Sequence, residues 1–161
     1  MSVKITEKTR GDLYERLKSE LKAMEKLEAV AGILAKDGAV TKKDSDGKKS
    51  KYKVIDVGVV HEFGYPEGNI PERSFVRSAE KAASGELSRL TEDLLLDVIK
   101  GDLTAEEALG VLGEEARNAI LMQFSSRGRG TWDALKHRSG MPLQDTGQLM
   151  QSIHSQVRRK K

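Results

Sequence analysis

The stretch GELSRLTEDLLLDVIKGDLTAEEALGVLGEEARNAILMQF, residues 85–124, carries the most regular pattern in the chain and decides its fold class. Leu87, Leu90, Leu94 and Val98 recur at spacings of three and four, the apolar stripe of an amphipathic helix. The stripe stops at Gly101-Asp102, where glycine supplies a C-terminal breaker. Thr104 and Glu107 then make a capping box, the hydroxyl accepting the amide three residues on while the carboxylate returns to the cap amide. A second helix follows through Leu109, Leu112, Ala116, Ile120 and Phe124, and Ser125 to Gly130 (SSRGRG) ends it. Gly110 and Gly113 lie inside that helix at a cost of up to ~1 kcal/mol each relative to alanine, which predicts close approach of another helix there.

Toward the N-terminus, Gly64 to Pro71 (GYPEGNIP) must be a loop, because two prolines and two glycines cannot sit in a regular helix or central strand. Tyr52 to Val60 is apolar and fits either a strand or a short helix. Thr41 to Lys53 has six lysines and almost no apolar side chain, so it reads as a mobile lysine-rich loop or the tip of a long hairpin. Glu28 to Ala35 (EAVAGILA) reads as a strand ending at the turn signal Asp37-Gly38. Before it, Leu13, Leu17, Leu21 and Met24 predict a helix over 9–25 with Thr9 as N-cap.

Toward the C-terminus, Thr146 to Met150 fits one helical turn, and Ile153, Ser155 and Val157 share a face as in a short strand. Residues 158–161 read as a flexible basic tail. These elements predict one α+β domain over 1–161, a small antiparallel sheet packed by two or three long helices.

Composition agrees with a single core: 161 residues, 37% hydrophobic and only 4% aromatic, so the interior is mainly Leu, Val, Ile and Ala. The absence of cysteine excludes disulfides, thiolate metal sites and a cysteine nucleophile. Met1 to Arg10 lacks an apolar signal region and no stretch is long enough to span a bilayer, so a soluble chain with no membrane association is expected. The net charge of +3 conceals segregation, with +5 over residues 1–53, −8 over 54–122 and +6 over 123–161. Such a map suits either basic ends meeting the acidic middle of another copy or an ordinary solvated surface.

Catalytic patterns are missing. His61, His137 and His154 are scattered, and His61 beside Glu62 lacks the i, i+4 spacing that puts two ligands on one helix face. Asp44-Ser45-Asp46-Gly47 resembles the start of a calcium loop, but its glycine comes early and no glutamate closes the frame, so it reads as a plain turn. Ser125 and Ser126 do not form a nucleophile elbow, and no glycine pattern matches a phosphate loop. The chain is therefore expected to be a non-enzyme without metal or cofactor. Basic side chains at Lys42, Lys43, Lys48, Lys49, Lys51, Arg158 and Arg159 fit an interface, and sequence-independent contact with DNA phosphates is one alternative. Neither basic cluster has interleaved aromatics for base stacking.

Three ordered segments carry a resemblance. The first is His61-Glu62-Phe63-Gly64 after the apolar run 54–60; the second is Ile70-Pro71-Glu72-Arg73-Ser74-Phe75-Val76-Arg77; the third is Pro142-Leu143-Gln144-Asp145-Thr146-Gly147-Gln148-Leu149 with Ser152-Ile153. As a set they resemble the tail-component family of lambdoid siphophages, which is similar to the virion-morphogenesis proteins of Mu-like phages. In the second segment Glu72 and Ser74 replace that family's usual alanine and proline. The resemblance frames roughly residues 26–157. It implies a virion subunit of the head–tail junction, assembled in the host cytoplasm as a hexameric ring that completes the tail for joining to the filled head. Its partners would be further copies, other neck and tail proteins, and packaged DNA in the channel; the alternative within phage assembly is a tail-terminator ring that caps the tail tube.

Each segment also has a local physical reading. Phe63 is expected to anchor the loop after Gly64, Pro71 to set the backbone before a helix, and Phe75 and Val76 to pack. Asp145 or Thr146 would cap the turn that Gly147 permits, while Leu149 and Ile153 return to the core.

Overall fold

The chain order is α1 (Glu7–Lys26), β1 (Leu27–Ile33), β2 (Thr41–Lys43), β3 (Lys49–Lys53), α2 (Val54–Phe63), a 3-10 turn (Pro66–Gly68), α3 (Val76–Lys100), α4 (Ala105–Ser125), α5 (Gln148–Gln151) and β4 (Ile153–Arg159). The computed structural model describes residues 7–34, 41–43, 49–134, 142–143 and 147–160, with side chains except at 7–10, 41–43 and 49–52. The fold is α+β. The turns at Asp37-Gly38 and Asp44 to Gly47 and the capping residues Asp145 and Thr146 lie outside the described residues, as do Lys48 and His137.

The helical hairpin of α3 and α4 forms as its stripes dictate. Gly101 takes the left-handed conformation at φ 95° and donates its N–H to Asp97 O and Val98 O, closing α3. Thr104 Oγ1 accepts the Glu107 amide at 3.2 Å while Glu107 Oε2 accepts the Thr104 amide at 2.8 Å, opening α4. Leu94, Val98 and Ala108 are buried between the two helices, with Leu90 and Leu112 beside them.

The first helix begins at Glu7, so Thr9 lies within it instead of capping it. Its stripe is only half covered: Met24 joins the Leu94–Val98–Ala108 cluster, whereas Leu13 and Leu21 stay exposed. Polar side chains do the rest of the fastening. Arg16 Nη2 donates to Val98 O at 3.3 Å and Ile99 O at 3.4 Å, at the negative end of the α3 dipole, and Glu20 Oε2 accepts the Ala105 amide at 2.7 Å, at the positive end of α4. Lys26 then leads into β1 without a linker.

The sheet unites the two ends of the resemblance. β1 pairs antiparallel with β4 from Leu27↔Arg159 to Ile33↔Ile153. The basic end is therefore ordered structure as far as Lys160: Arg158 Nε meets Glu28 Oε1 at 2.8 Å and the Lys160 amide donates to Lys26 O at 2.8 Å. This corrects the flexible-tail expectation for 158–160, because the β1 ladder offers those residues partners.

Of the two readings of the lysine-rich segment, mobile loop or hairpin, the second describes its strands: β2 and β3 pair antiparallel, with Thr41 opposite Lys53 and Lys43 opposite Lys49. After Lys53 the apolar run is a helix rather than a strand, opened by a hydrogen bond from the Lys53 amide to Asp56 Oδ2.

Helix α4 is central, contacting α3 on one side and both β1 and β4 on another. The glycines in it have a different cause from the one expected. A Cβ on Gly113 would lie 3.5 Å from Ala29 Cβ and Ser155 Cβ, so it is the sheet that comes near; nothing lies within 4 Å of one on Gly110. The main core gathers Val54, Phe75, Ala79, Ile120, Phe124, Trp132, Leu149 and Ile153. Within it Phe124 packs against Phe75 at 5.2 Å between ring centroids and meets Trp132 edge-on at 5.9 Å.

Candidate functional site

The first two segments meet through one buried carboxylate. Helix α3 starts at Val76 with no side-chain cap of its own, leaving amides that need acceptors. Glu62, in the last turn of α2, supplies them: Oε2 accepts Phe75 N at 2.7 Å and Val76 N at 2.9 Å, and Oε1 accepts Arg77 N at 3.0 Å and Ser74 Oγ at 2.8 Å. Arg77 Nε also donates to Oε1 at 3.0 Å, and its Nη2 reaches both the Glu62 carbonyl and Glu72 Oε1. Glu62 is buried and Arg77 half exposed, so the charge pair spans the boundary of the core.

The electrostatics follow from that geometry. Burial by itself pushes the Glu62 carboxyl up, but the Val76 and Arg77 amides, the Ser74 hydroxyl and the Phe75 amide outweigh it and hold the group below its ordinary range. His61 is depressed too, first by burial and then by the Arg73 charge. Its carbonyl accepts the Arg73 amide at 2.7 Å, while its Nδ1 is buried without a hydrogen-bond partner. Arg73 is itself buried, its Nη2 donating to Asp133 O at 3.4 Å.

Gly64 allows the turn between the segments: it sits at φ 76°, and a Cβ there would be 3.0 Å from Glu72 N. Tyr65 and Ile70 then close the intervening loop with paired backbone hydrogen bonds of 2.8 and 3.0 Å. Phe63 does not anchor this loop. Its ring is 61% exposed, with the Arg77 guanidinium 4.6 Å from its centroid, because the α2 periodicity points Phe63 outward when Glu62 points in. Pro71 precedes the helix as expected, and Ile70 is half-buried.

The third segment arrives from the other end of the chain. Pro142 is buried and Leu143 packs partly against the core. Gly147, at φ 67°, precedes α5, whose Leu149 enters the core; Ser152 is buried and donates to Leu149 O at 2.7 Å, and Ile153 is fully covered. Gly58 of α2 is where the segments converge: an added Cβ would be 3.5 Å from Leu149 Cδ1, 3.7 Å from Phe75 Cζ and 2.5 Å from Ile33 Cδ1. Glu62 thus ties the first segment to the second, and Phe75, Leu149 and Ile153 of the second and third share one core with Val54 of α2, forming an interlock.

The sequence patterns missed Arg77 as the second half of the latch and Trp132 as a core member. An acid in the last turn of α2 ahead of an uncapped helix start was the only available signal for the former. Glu72 and Ser74, the two departures from the pattern of the second segment, both bond into the node.

The interlock is chemically suited to holding elements together. Among the described residues no group of three or more His, Asp or Glu is placed to hold a metal ion, and no helix is long and apolar enough to cross a membrane. Arg158 and Arg159 belong to the β1–β4 sheet, while Lys42, Lys43, Lys49 and Lys51 belong to the separate β2–β3 hairpin. Comparison of the chain with protein-family models, curated proteins and solved structures finds no match.

Proposed function

We propose that this chain is a structural subunit of the head–tail junction of a tailed bacteriophage, a tail-completion or neck protein that works as a ring and acts by binding, not catalysis. The observation that supports the reading is the interlock: segments that resemble the phage tail-component family in order and spacing also depend on one another physically. Glu62 of the first caps the helix begun in the second, and Leu149 and Ile153 of the third share a core with Phe75.

The exposed surface suits an assembly role. Val59, Phe63 and Tyr65 are exposed beside the interlock, and Leu95, Leu96 and Ile99 are exposed on α3. Electron microscopy of particles made without the protein tests the proposal. Tails of normal length that stay detached from filled heads are expected; overlong tails would assign the chain to tail termination, and intact infectious particles would refute both. Sequence-independent DNA binding is tested separately by measuring affinity for duplex DNA against salt, and no binding near physiological salt removes it.

A further inference from the structure

We propose that the β2–β3 hairpin of one copy adds to the open edge of β1 in a second copy, joining two two-stranded sheets across the subunit boundary. This deepens the ring reading above and rests on it.

The first observation is an unpaired edge. Among the described residues β1 pairs only with β4, so one side of Leu27–Ile33 carries backbone groups with no strand partner. Natural edges are usually guarded by charge, proline or a bulge. Ala29, Val30 and Ala31 offer none of these, and the register with β4 is continuous. The edge borders an apolar trough floored by Ala116 and Ala119 of α4 and walled by Leu87 and Thr91 of α3. The small side chains leave room for a strand to lie along β1.

The second observation is an element lacking support. The β2–β3 hairpin pairs with no other strand and touches the rest of the described fold chiefly where β3 enters α2. An isolated two-stranded hairpin is marginal in water. Within one copy it forms a sheet separate from β1, which leaves both elements short of a partner strand among the described residues.

Charge selects the occupant. The described hairpin strands carry Lys42, Lys43, Lys49, Lys51 and Lys53 and no acid. The trough has Glu80 on its α3 wall and no basic side chain in its lining, in the part of the chain whose net charge is −8. Lysines drawn to Glu80 and to the net negative charge of this part of the chain steer the hairpin onto the next copy. The two patches differ, which makes the contact heterologous and lets repetition close a ring.

The natural absence of cysteine makes the test direct. Full-length Val30→Cys and Lys51→Cys chains, each checked for unchanged circular dichroism, are mixed and treated with a short bismaleimide. The sample is sized by ultracentrifugation, with Val30→Cys mixed with Asn118→Cys as control. Expected are oligomers and a 30-to-51 cross-link between different copies as the main product, declining as salt rises. Oligomers with no more 30-to-51 than 30-to-118 product would overturn the hairpin pairing while leaving the ring. A chain that stays monomeric at every concentration would overturn the ring and the pairing together.

Discussion

Glu62 accepts the Phe75 amide at 2.7 Å across 13 residues of chain, so the end of one helix is the cap of the next. The same carboxylate serves Ser74, Val76 and Arg77, which makes it the acceptor shared by most donors at the start of α3. Replacing it by glutamine removes the charge and leaves several donors poorly matched. Glu62→Gln is expected to destabilise the fold by about 3 kcal/mol, lowering Tm by roughly 10 °C for a domain of this size. Arg77→Ala should cost less, since Arg77 is half exposed. Equal losses in thermal melts of the two variants would contradict this ranking.

Acid should loosen the junction in two windows. The Glu62 carboxyl is held low in the folded chain, so its contribution is present above its unfolded pKa and lost as pH falls through the folded value. His61 is also depressed, by burial first and Arg73 second, so the unfolded chain takes up that proton first and stability starts to decline below about pH 6.5. Urea denaturation from pH 8 to pH 3 measures both. Glu62→Gln should flatten the lower window and His61→Asn the upper one, and unchanged slopes would remove the assignments.

The glycines give a contrast within one chain. Gly110 has open space where a Cβ would go and ordinary helical backbone, so Gly110→Ala should raise stability by ~0.5–1 kcal/mol. Gly64 combines φ 76° with a Cβ position 3.0 Å from Glu72 N, so Gly64→Ala should cost about 1–3 kcal/mol. Chemical denaturation of the two variants checks the opposite signs.

What the sequence disclosed followed the range of the interactions. α3 and α4 were legible because their stripes, the Gly101 stop and the Thr104–Glu107 box are all local. The run 54–60 was ambiguous because β-branched residues fill both faces, and the Lys53–Asp56 hydrogen bond that starts the helix carries no apolar signal. Gly110 and Gly113 looked alike in sequence, yet only the second faces the sheet. The three segments were recognisable as short strings, but the direction of Phe63 and the role of Arg77 were not, because both depend on the distant start of α3. Trp132 sits after an irregular turn, where no periodicity points inward, although it is buried against Phe124.

The hairpin and the rest of the chain should separate in a deletion. Because β2 and β3 pair only with each other among the described strands, removing Thr41 to Lys51 and joining the ends with a short glycine-serine linker should leave the helical circular dichroism signal and cooperative melting intact. Tail-to-head joining in a complementation assay should fall. Unchanged infectivity would show that the lysine-rich arm is dispensable for assembly.

The basic C-terminus should behave oppositely, as part of the fold. Arg158 and Arg159 form the last rungs against Glu28 and Leu27, Arg158 also pairs with the Glu28 carboxylate, and the Lys160 amide bonds to Lys26 O. Removing residues 158–161 takes away these partners and frees the start of β1, where α1 joins the sheet. The exposed ion pair contributes little, so the loss comes mainly from ladder hydrogen bonds and amounts to about 1–2 kcal/mol. Hydrogen exchange gives the sharper check, because amides of Leu27 and Glu28 should lose protection while those of Leu94 and Val98 in the helical core keep theirs. A truncated chain with unchanged stability and unchanged exchange at Leu27 would return these residues to the status of a solvated tail.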